Sequence, residues 1–362
     1  MTARSALVLG GSALLVAASL AGSRLVSRNS DPFAGLPYGP RDEVPSEEER
    51  MEEGHAWEMF DWWYGQRAFP HALIPQDGFG RAWTQRASVP RDPDLAGRAT
   101  SWTSMGPNNV GGRMLAIALD PGQPGHVWAG SASGGLWFSS VGGEGPNAWT
   151  RVETGHPALS VSSIVIDPTD TSRIWIGTGE ISRYERPLVG TPGARASYGM
   201  GVLRTTDGGS TWSTTGLNWT FDQYRAVIAM KGSESDPNLL YAATSEGLYK
   251  TTDAGVTWVN VHPLLMAMDV VIDPTNDSVV YVSHGQLGVP SAPDAGIYKS
   301  TNGGTTWSQV SNENWAGGQA WYDNAMAVSL ANNDILVAAG LDCYRTTNGG
   351  ANLSQVTFWW AG

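Results

Sequence analysis

Between residues 114 and 340 the chain carries short apolar runs with no polar alternation, each closed by a similar corner. Met114-Leu-Ala-Ile-Ala-Leu119 leads into Asp120-Pro121, Ser162-Ser-Ile-Val-Ile166 into Asp167-Pro168, and Arg225-Ala-Val-Ile-Ala229 towards Asp236-Pro237. Met268-Asp-Val-Val-Ile272 leads into Asp273-Pro274, and Ala325-Met-Ala-Val328 towards Asn332-Asn-Asp334. A second apolar run follows every corner, as in Ile174-Trp-Ile-Gly177 or Val279-Val-Tyr-Val282. A third opens on glycine in four of the five units, as in Gly201-Val-Leu-Arg204. Runs this short, bounded by turn residues, read as strands buried on both faces. The Asp-Pro pairs fit tight turns that start on Asp and fix φ with Pro.

The third strand ends in a repeated stretch. Arg204-Thr-Thr-Asp-Gly-Gly-Ser-Thr-Trp212 recurs as Lys250-Thr-Thr-Asp-Ala-Gly-Val-Thr-Trp258 and Lys299-Ser-Thr-Asn-Gly-Gly-Thr-Thr-Trp307. A decayed copy centres on Asn348, and a more distant one runs from Phe138 to Trp149. Asp207, Asp253, Asn302 and Asn348 stand 46, 49 and 46 residues apart. A fixed period of that size marks a repeat architecture, and four short strands fit within it. Locally the stretch predicts a self-satisfied turn: the Asp or Asn side chain accepts backbone N–H groups, glycine takes positive φ, and the Trp packs beneath.

These runs resemble the Asp-box, or BNR, repeats of sialidase-type and sortilin-type β-propellers, over about residues 102–358. The resemblance implies an all-β propeller of about five four-stranded blades within 101–362. A sixth blade, built from residues before 110 and including Trp102, is the alternative. It fixes no activity, because propellers host enzymes, receptors and scaffolds alike.

Composition supports the fold and narrows the partners. The chain has 362 residues, with 45 Gly, 21 Pro and 17 Trp, as an all-β protein rich in turns and apolar anchors requires. Its formal net charge of −12 argues against nucleic acid, whose phosphates need clustered Lys and Arg. The single Cys343 excludes an internal disulfide, and we expect it to pack as a small hydrophobe. No Cys/His spacing for a metal, calcium loop or phosphate-binding glycine loop is present. No cofactor or metal is expected.

Residues 5–23 are uncharged and flanked by Arg4, Arg24 and Arg28. They predict an export signal within 1–28, and such a length also spans a bilayer as a helix. An uncleaved signal-anchor on the periplasmic or extracellular side is the preferred reading; secretion after cleavage is the alternative. Residues 29–100 read as a proline-rich connector with a helix over about 47–66, crowded with Trp57, Phe60, Trp62, Trp63 and Tyr64. That patch either docks on the propeller or binds a partner or the membrane interface, where Trp and Tyr are favoured.

Candidate chemistry gathers on the face carrying the loops that enter the inner strands. That face is expected to hold Arg113, Glu180, Arg225, Tyr322 and Asp323, together with the excursion containing Arg183, Tyr184 and Arg186. The sialidase resemblance implies an arginine cluster, a Tyr nucleophile and acidic partners, which Arg113, Arg225, Tyr322 and Glu180 match in type. The Phe/Tyr-Arg-Ile-Pro motif of that family is missing. Related propeller glycosidases use two facing carboxylates, for which Glu180, Asp269 and Asp323 are candidates. Weighing these, we expect a non-catalytic extracytoplasmic scaffold: an accessory subunit of a bacterial membrane complex, respiratory or photosynthetic, contacting integral membrane subunits. A secreted sialidase-like glycoside hydrolase, or a carbohydrate-binding propeller stacking sugars on Trp315 and Trp321, is the alternative.

Overall fold

The computed structural model describes residue 66 and residues 78–89, 112–145, 147–181, 196–285, 295–313, 315–316, 319–320 and 322–358. The chain divides into two compact units, and every described strand belongs to the one spanning residues 76–186 and 193–362. The signal segment, Trp102 and the aromatic stretch with Trp57, Phe60, Trp62, Trp63 and Tyr64 lie outside the described residues, as do Arg183, Tyr184 and Arg186. Among the described residues no helix is long and apolar enough to cross a membrane.

The described unit is all-β apart from one short helix, α1 (Gly78–Gln85), and single turns of 3-10 helix. Five sheets of four antiparallel strands follow one another along the chain. The first holds β1 (Met114–Leu119), β2 (Val127–Ser131), β3 (Leu136–Ser139) and β4 (Thr150–Val152). The second holds β5 (Val161–Ile166) and β6 (Ile174–Thr178). A small ribbon, β7 (Glu180–Ile181) with β8 (Ala196–Ser197), then precedes β9 (Gly201–Thr205) and β10 (Ser213–Asn218). The third comprises β11 (Val227–Gly232), β12 (Leu240–Thr244), β13 (Gly247–Thr251) and β14 (Val259–His262). The fourth comprises β15 (Ala267–Asp273), β16 (Asn276–His284), β17 (Gly296–Ser300) and β18 (Ser308–Ser311). The fifth comprises β19 (Ala325–Val328), β20 (Leu336–Ala339), β21 (Cys343–Thr346) and β22 (Ser354–Gln355).

Inner strands β1, β5, β11, β15 and β19 pack side by side in that order, the arrangement of propeller blades around a channel. The second strands, β2, β6 and β12, are buried along their whole length. Their faces make the inter-sheet cores, for instance Leu136, Val161, Ile174, Ile176 and Leu203 between the first two sheets. Where the sheets wedge together the second strand carries Gly130, Gly177, Ala243, Ser283 and Ala339 at matching register. A Cβ on Gly177 would stand 2.6 Å from Val227 Cγ1 in the next sheet, so the approach itself demands a small residue.

The repeated turns form as the sequence dictates. Asp207 Oδ1 accepts the Thr205 hydroxyl at 2.7 Å and the Thr211 amide at 2.9 Å, while Trp212 Nε1 donates to the Gly209 carbonyl at 3.1 Å. Asp253 and Trp258 repeat the set. At Asn302 the amide Nδ2 donates to Thr306 Oγ1 instead, at 2.8 Å, and Trp307 still reaches the Gly304 carbonyl. Asn348 accepts from Thr346 and from the Asn352 amide. In the distant copy Ser139 Oγ takes the Gly143 amide at 2.8 Å. These accepted bonds hold the Asp207 and Asp253 carboxyls down to about 2, the Thr211 and Thr257 hydroxyls contributing most. Each turn also donates to its own sheet's first corner, as Gly208 N does to Ser172 O at 3.0 Å. Turns and corners therefore share one face.

Two expectations are corrected. The first inner strand is not buried on both faces: Ile117 and Leu119 are 69% and 71% exposed. No packed strand pair comparable to β1 with β5 joins the fifth sheet to the first among the described residues. Trp315 is no sugar-stacking platform; it is buried in the core of the fourth and fifth sheets with Tyr281, Ile297 and Leu336. Trp321 lies outside the described residues.

Candidate functional site in the central channel

Each of the first four inner strands enters through a β-bulge, at Met114/Ala116, Val161/Ser163, Val227/Ala229 and Ala267/Asp269. Bulges at barrel rims turn side chains that regular pleating would place elsewhere. Here they border a cavity of about 400 Å³ lined by the inner strands, β7 and the segment leading into β19. Its wall is about evenly polar and apolar, and its charged members among the described residues are Glu180, Lys231 and Asp269.

Glu180 is positioned by a glycine crossing. Gly179 has φ +97 and passes so close to Gly199 that a Cβ would lie 2.6 Å from the Gly199 amide. The chain turns there into the β7–β8 ribbon, with Glu180 opposite Ser197. The Glu180 carboxylate is 13% exposed and forms a bidentate pair with Arg113, whose Nη2 reaches Oε2 at 2.7 Å. The Glu180 hydrogen bond raises the Arg113 guanidinium above its ordinary value, with a further contribution from a hydrogen bond to Tyr322. Arg113 thus ties the entry of the first sheet to the second and fifth.

Asp269 lies deeper. Its Oδ2 accepts the Met326 amide of the fifth sheet at 2.7 Å, and its Oδ1 accepts its neighbour Val270 N at 2.8 Å. Ser283 Oγ takes the Asp269 amide and donates to Asn324 Oδ1 at 2.7 Å, tying β15, β16 and the entry to β19 together. Burial pushes the Asp269 carboxyl up, against the opposing pull of these amides and of Lys231. The channel therefore holds one carboxylate neutralised by an arginine and one carboxyl that burial drives towards its protonated form. An ion-paired carboxylate and a buried carboxyl in one cleft are suited to different roles.

Of the residues expected on this face, Arg113, Glu180 and Tyr322 come together, and Asp269 joins Glu180 in the channel wall. Arg225 does not; it turns to Glu246 at 3.6 Å and lies over the Trp219 ring. Asp323 bonds Gln319 through its backbone and is not among the channel-lining residues. Sequence reasoning missed Lys231, which ends an inner strand where polar residues ordinarily mark solvent; its signal was a lone cation at a position held by Ala118, Val165 and Val271 in the neighbouring inner strands. Among the described residues no cluster of three or more His, Cys, Asp or Glu could hold a metal.

Fold and channel define a propeller-type all-β protein whose concave site holds two carboxyls. No family model matches the chain. It is 25% identical over 192 residues to a xyloglucanase of Hypocrea jecorina, covering 50% of this chain and 21% of that protein. It is 32% identical over 123 residues to the xyloglucanase Xgh74A of Acetivibrio thermocellus, covering 32% of this chain and 13% of that protein. The chain thus spans about a fifth or less of the length of these curated relatives. Among solved structures, an ancestral GH74 enzyme superposes with a TM-score of 0.50 at 20% identity, over 72% of this chain and 33% of the other. That likeness speaks to the fold. The relatives found by sequence are glycoside-cleaving enzymes, and this overturns the expectation of a non-catalytic scaffold subunit of a membrane complex.

Proposed function

We propose that this chain carries the propeller of an exported glycoside hydrolase acting on a β-linked polysaccharide of the xyloglucan kind, with Glu180 and Asp269 as its working carboxyls. The carrying observation is that one channel wall holds both carboxyls, Glu180 paired with Arg113 and Asp269 buried on the Met326 amide. Glycosidic bonds break when one carboxyl protonates the leaving oxygen while a second, ionised one attacks the anomeric carbon or activates water. Asp269, pushed up by burial, suits the acid role. Glu180, held against Arg113, suits the anionic role. Tyr322, about half exposed at the rim, is the residue we assign to sugar contact. The repeated turns fit the Asp-box type, which builds the frame without touching substrate.

The test is a panel of xyloglucan, cellulose-type and sialylated substrates, read by reducing-end release. Wild-type protein should act on xyloglucan. Glu180→Gln and Asp269→Asn should each lower kcat by at least about 100-fold, the usual worth of an acid–base group, and a base paired with the acid shapes the pH profile. Release of no sugar from any glucan by folded protein, or full activity in both variants, overturns the proposal.

A further inference from the structure

Lys231 is the one charged wall residue that the proposed chemistry leaves unused. It is exposed within the channel, and among the described residues it makes no hydrogen bond or ion pair. Asp269, the carboxyl on which the Lys231 charge acts, has both oxygens engaged by the amides of Met326 and Val270. Arg113, the other cation at this mouth, is already matched by Glu180. A cation held in a concave wall that donates to no group among the described residues, in a protein of net charge −12, serves a ligand better than it serves the fold.

Lys250 and Lys299 show the contrast. Lys250 donates to the Gly303 carbonyl at 2.7 Å and Lys299 pairs with Asp334 at 3.2 Å, each spanning two sheets on the turn face. Those lysines fasten the frame. Lys231 occupies an inner strand, at a register where Ala118, Val165 and Val271 are apolar. Nothing about the pleat calls for a charge there, since Val227 and Met230 on the same strand already supply the apolar core shared with Trp175 of the second sheet.

We infer that the channel takes a sugar bearing a compact oxyanion, and that Lys231 is the residue that selects it. The ligand class is a uronic-acid-bearing glycan end: the ring lies against Ile117, Ile228 and Met268, and its carboxylate meets the Lys231 ammonium. A sulfate ester at the same ring position offers the same chemistry. This inference rests on the reading of the channel as a glycan site and names which glycan it prefers.

The test titrates the full chain by calorimetry with three β-glucan tetrasaccharides, ending in glucose, glucuronic acid or glucose 6-sulfate. The glucuronate end should bind at least about 10-fold more tightly than the glucose end, as a charge-assisted contact predicts, and the preference should weaken with added salt. Lys231→Met should erase the preference while leaving the glucose end unchanged, and Lys231→Arg should retain it. A preference for the sulfate end alone, lost in Lys231→Met, assigns the oxyanion as a sulfate ester and overturns the uronate. Equal binding of all three ends, or a preference that survives Lys231→Met, overturns the inference. Turnover of neutral xyloglucan with no charge preference would defeat this inference and leave the proposed function standing; Lys231-dependent binding without turnover of any glycan would do the reverse.

Discussion

Acid should weaken this fold through two histidines that bind no substrate. His262, at the end of β14, and His284, at the end of β16, face each other across the third and fourth sheets with Nδ1 and Nε2 2.9 Å apart. His284 Nδ1 lies 3.1 Å from the Leu265 carbonyl. A carbonyl only accepts, so His284 donates from Nδ1 and its Nε2 accepts from His262. Both rings are neutral in that arrangement, packed with Tyr298 and Trp307. Burial holds His262 down to about 4 and His284 down to about 3, with His262 adding to the depression of His284. A histidine depressed in the fold contributes stability that is complete above its unfolded value of about 6.5 and is lost as pH falls from there towards the folded value. A tenfold change in proton affinity between the folded and unfolded chain is worth about 1.4 kcal/mol. The two rings touch, so their losses do not simply add, and we take roughly 3–5 kcal/mol for the pair between pH 7 and pH 4. At about 2–4 °C per kcal/mol for a domain of this size, Tm should fall by roughly 6–20 °C. Asp269 acts in the opposite sense, because a raised carboxyl costs stability as pH climbs past its unfolded value. The depressed Asp207 and Asp253 give up their contribution only below about pH 4. The assay is Tm by calorimetry at half-unit steps from pH 7 to pH 4, on wild type and on His262→Phe/His284→Leu. The double variant should start lower, since the Leu265 carbonyl loses its donor at about 1–3 kcal/mol, yet show a much flatter slope. An equal slope in both proteins refutes the reasoning.

Three further outcomes follow from the frame. Gly177→Ala should cost about 1–3 kcal/mol by overpacking against Val227, read as a lower midpoint in urea with an unchanged slope. Asp207→Asn should keep a native Tm, because Asn302 and Asn348 already serve at that position, while Asp207→Ala should lower it by leaving the Thr211 amide without its acceptor. Trp175→Phe should lose the Nε1 bond to the Ala254 carbonyl at 3.0 Å and cost about 1–3 kcal/mol by the same measurement.

Most of the frame was legible because its information is local. The turn around Asp207 is closed by residues within four positions of it, so the written pattern and the physical object coincide. Strands β9, β13 and β17 begin and end where the glycines and the repeated turns say. The exposure of β1 was not legible, since Met114–Leu119 is as apolar as its more buried counterparts and only the arrangement of neighbours reveals the difference. Burial of Trp315 was hidden for the same reason: it stands in an irregular segment with no period to assign it a face. At the site, Arg113 and Tyr322 were found because they precede inner strands, and Glu180 because it opens the excursion that follows a second strand. Their pairing was not, because 67 residues separate Arg113 from Glu180. Asp269 was named as a candidate without a partner, and nothing in its neighbourhood announces that the Met326 amide, 57 residues on, would hold it. The scaffold reading failed because the repeats specify a frame and say nothing of the channel within it.

Glycan cleavage by the channel carboxyls is the central claim. The most direct measurement is the rate of reducing-end release from xyloglucan by wild type and Glu180→Gln side by side, with matching Tm values as proof of an intact fold. We expect wild-type turnover and a loss of about 100-fold or more in the variant. Equal rates in the two proteins, or no release by either, would contradict it.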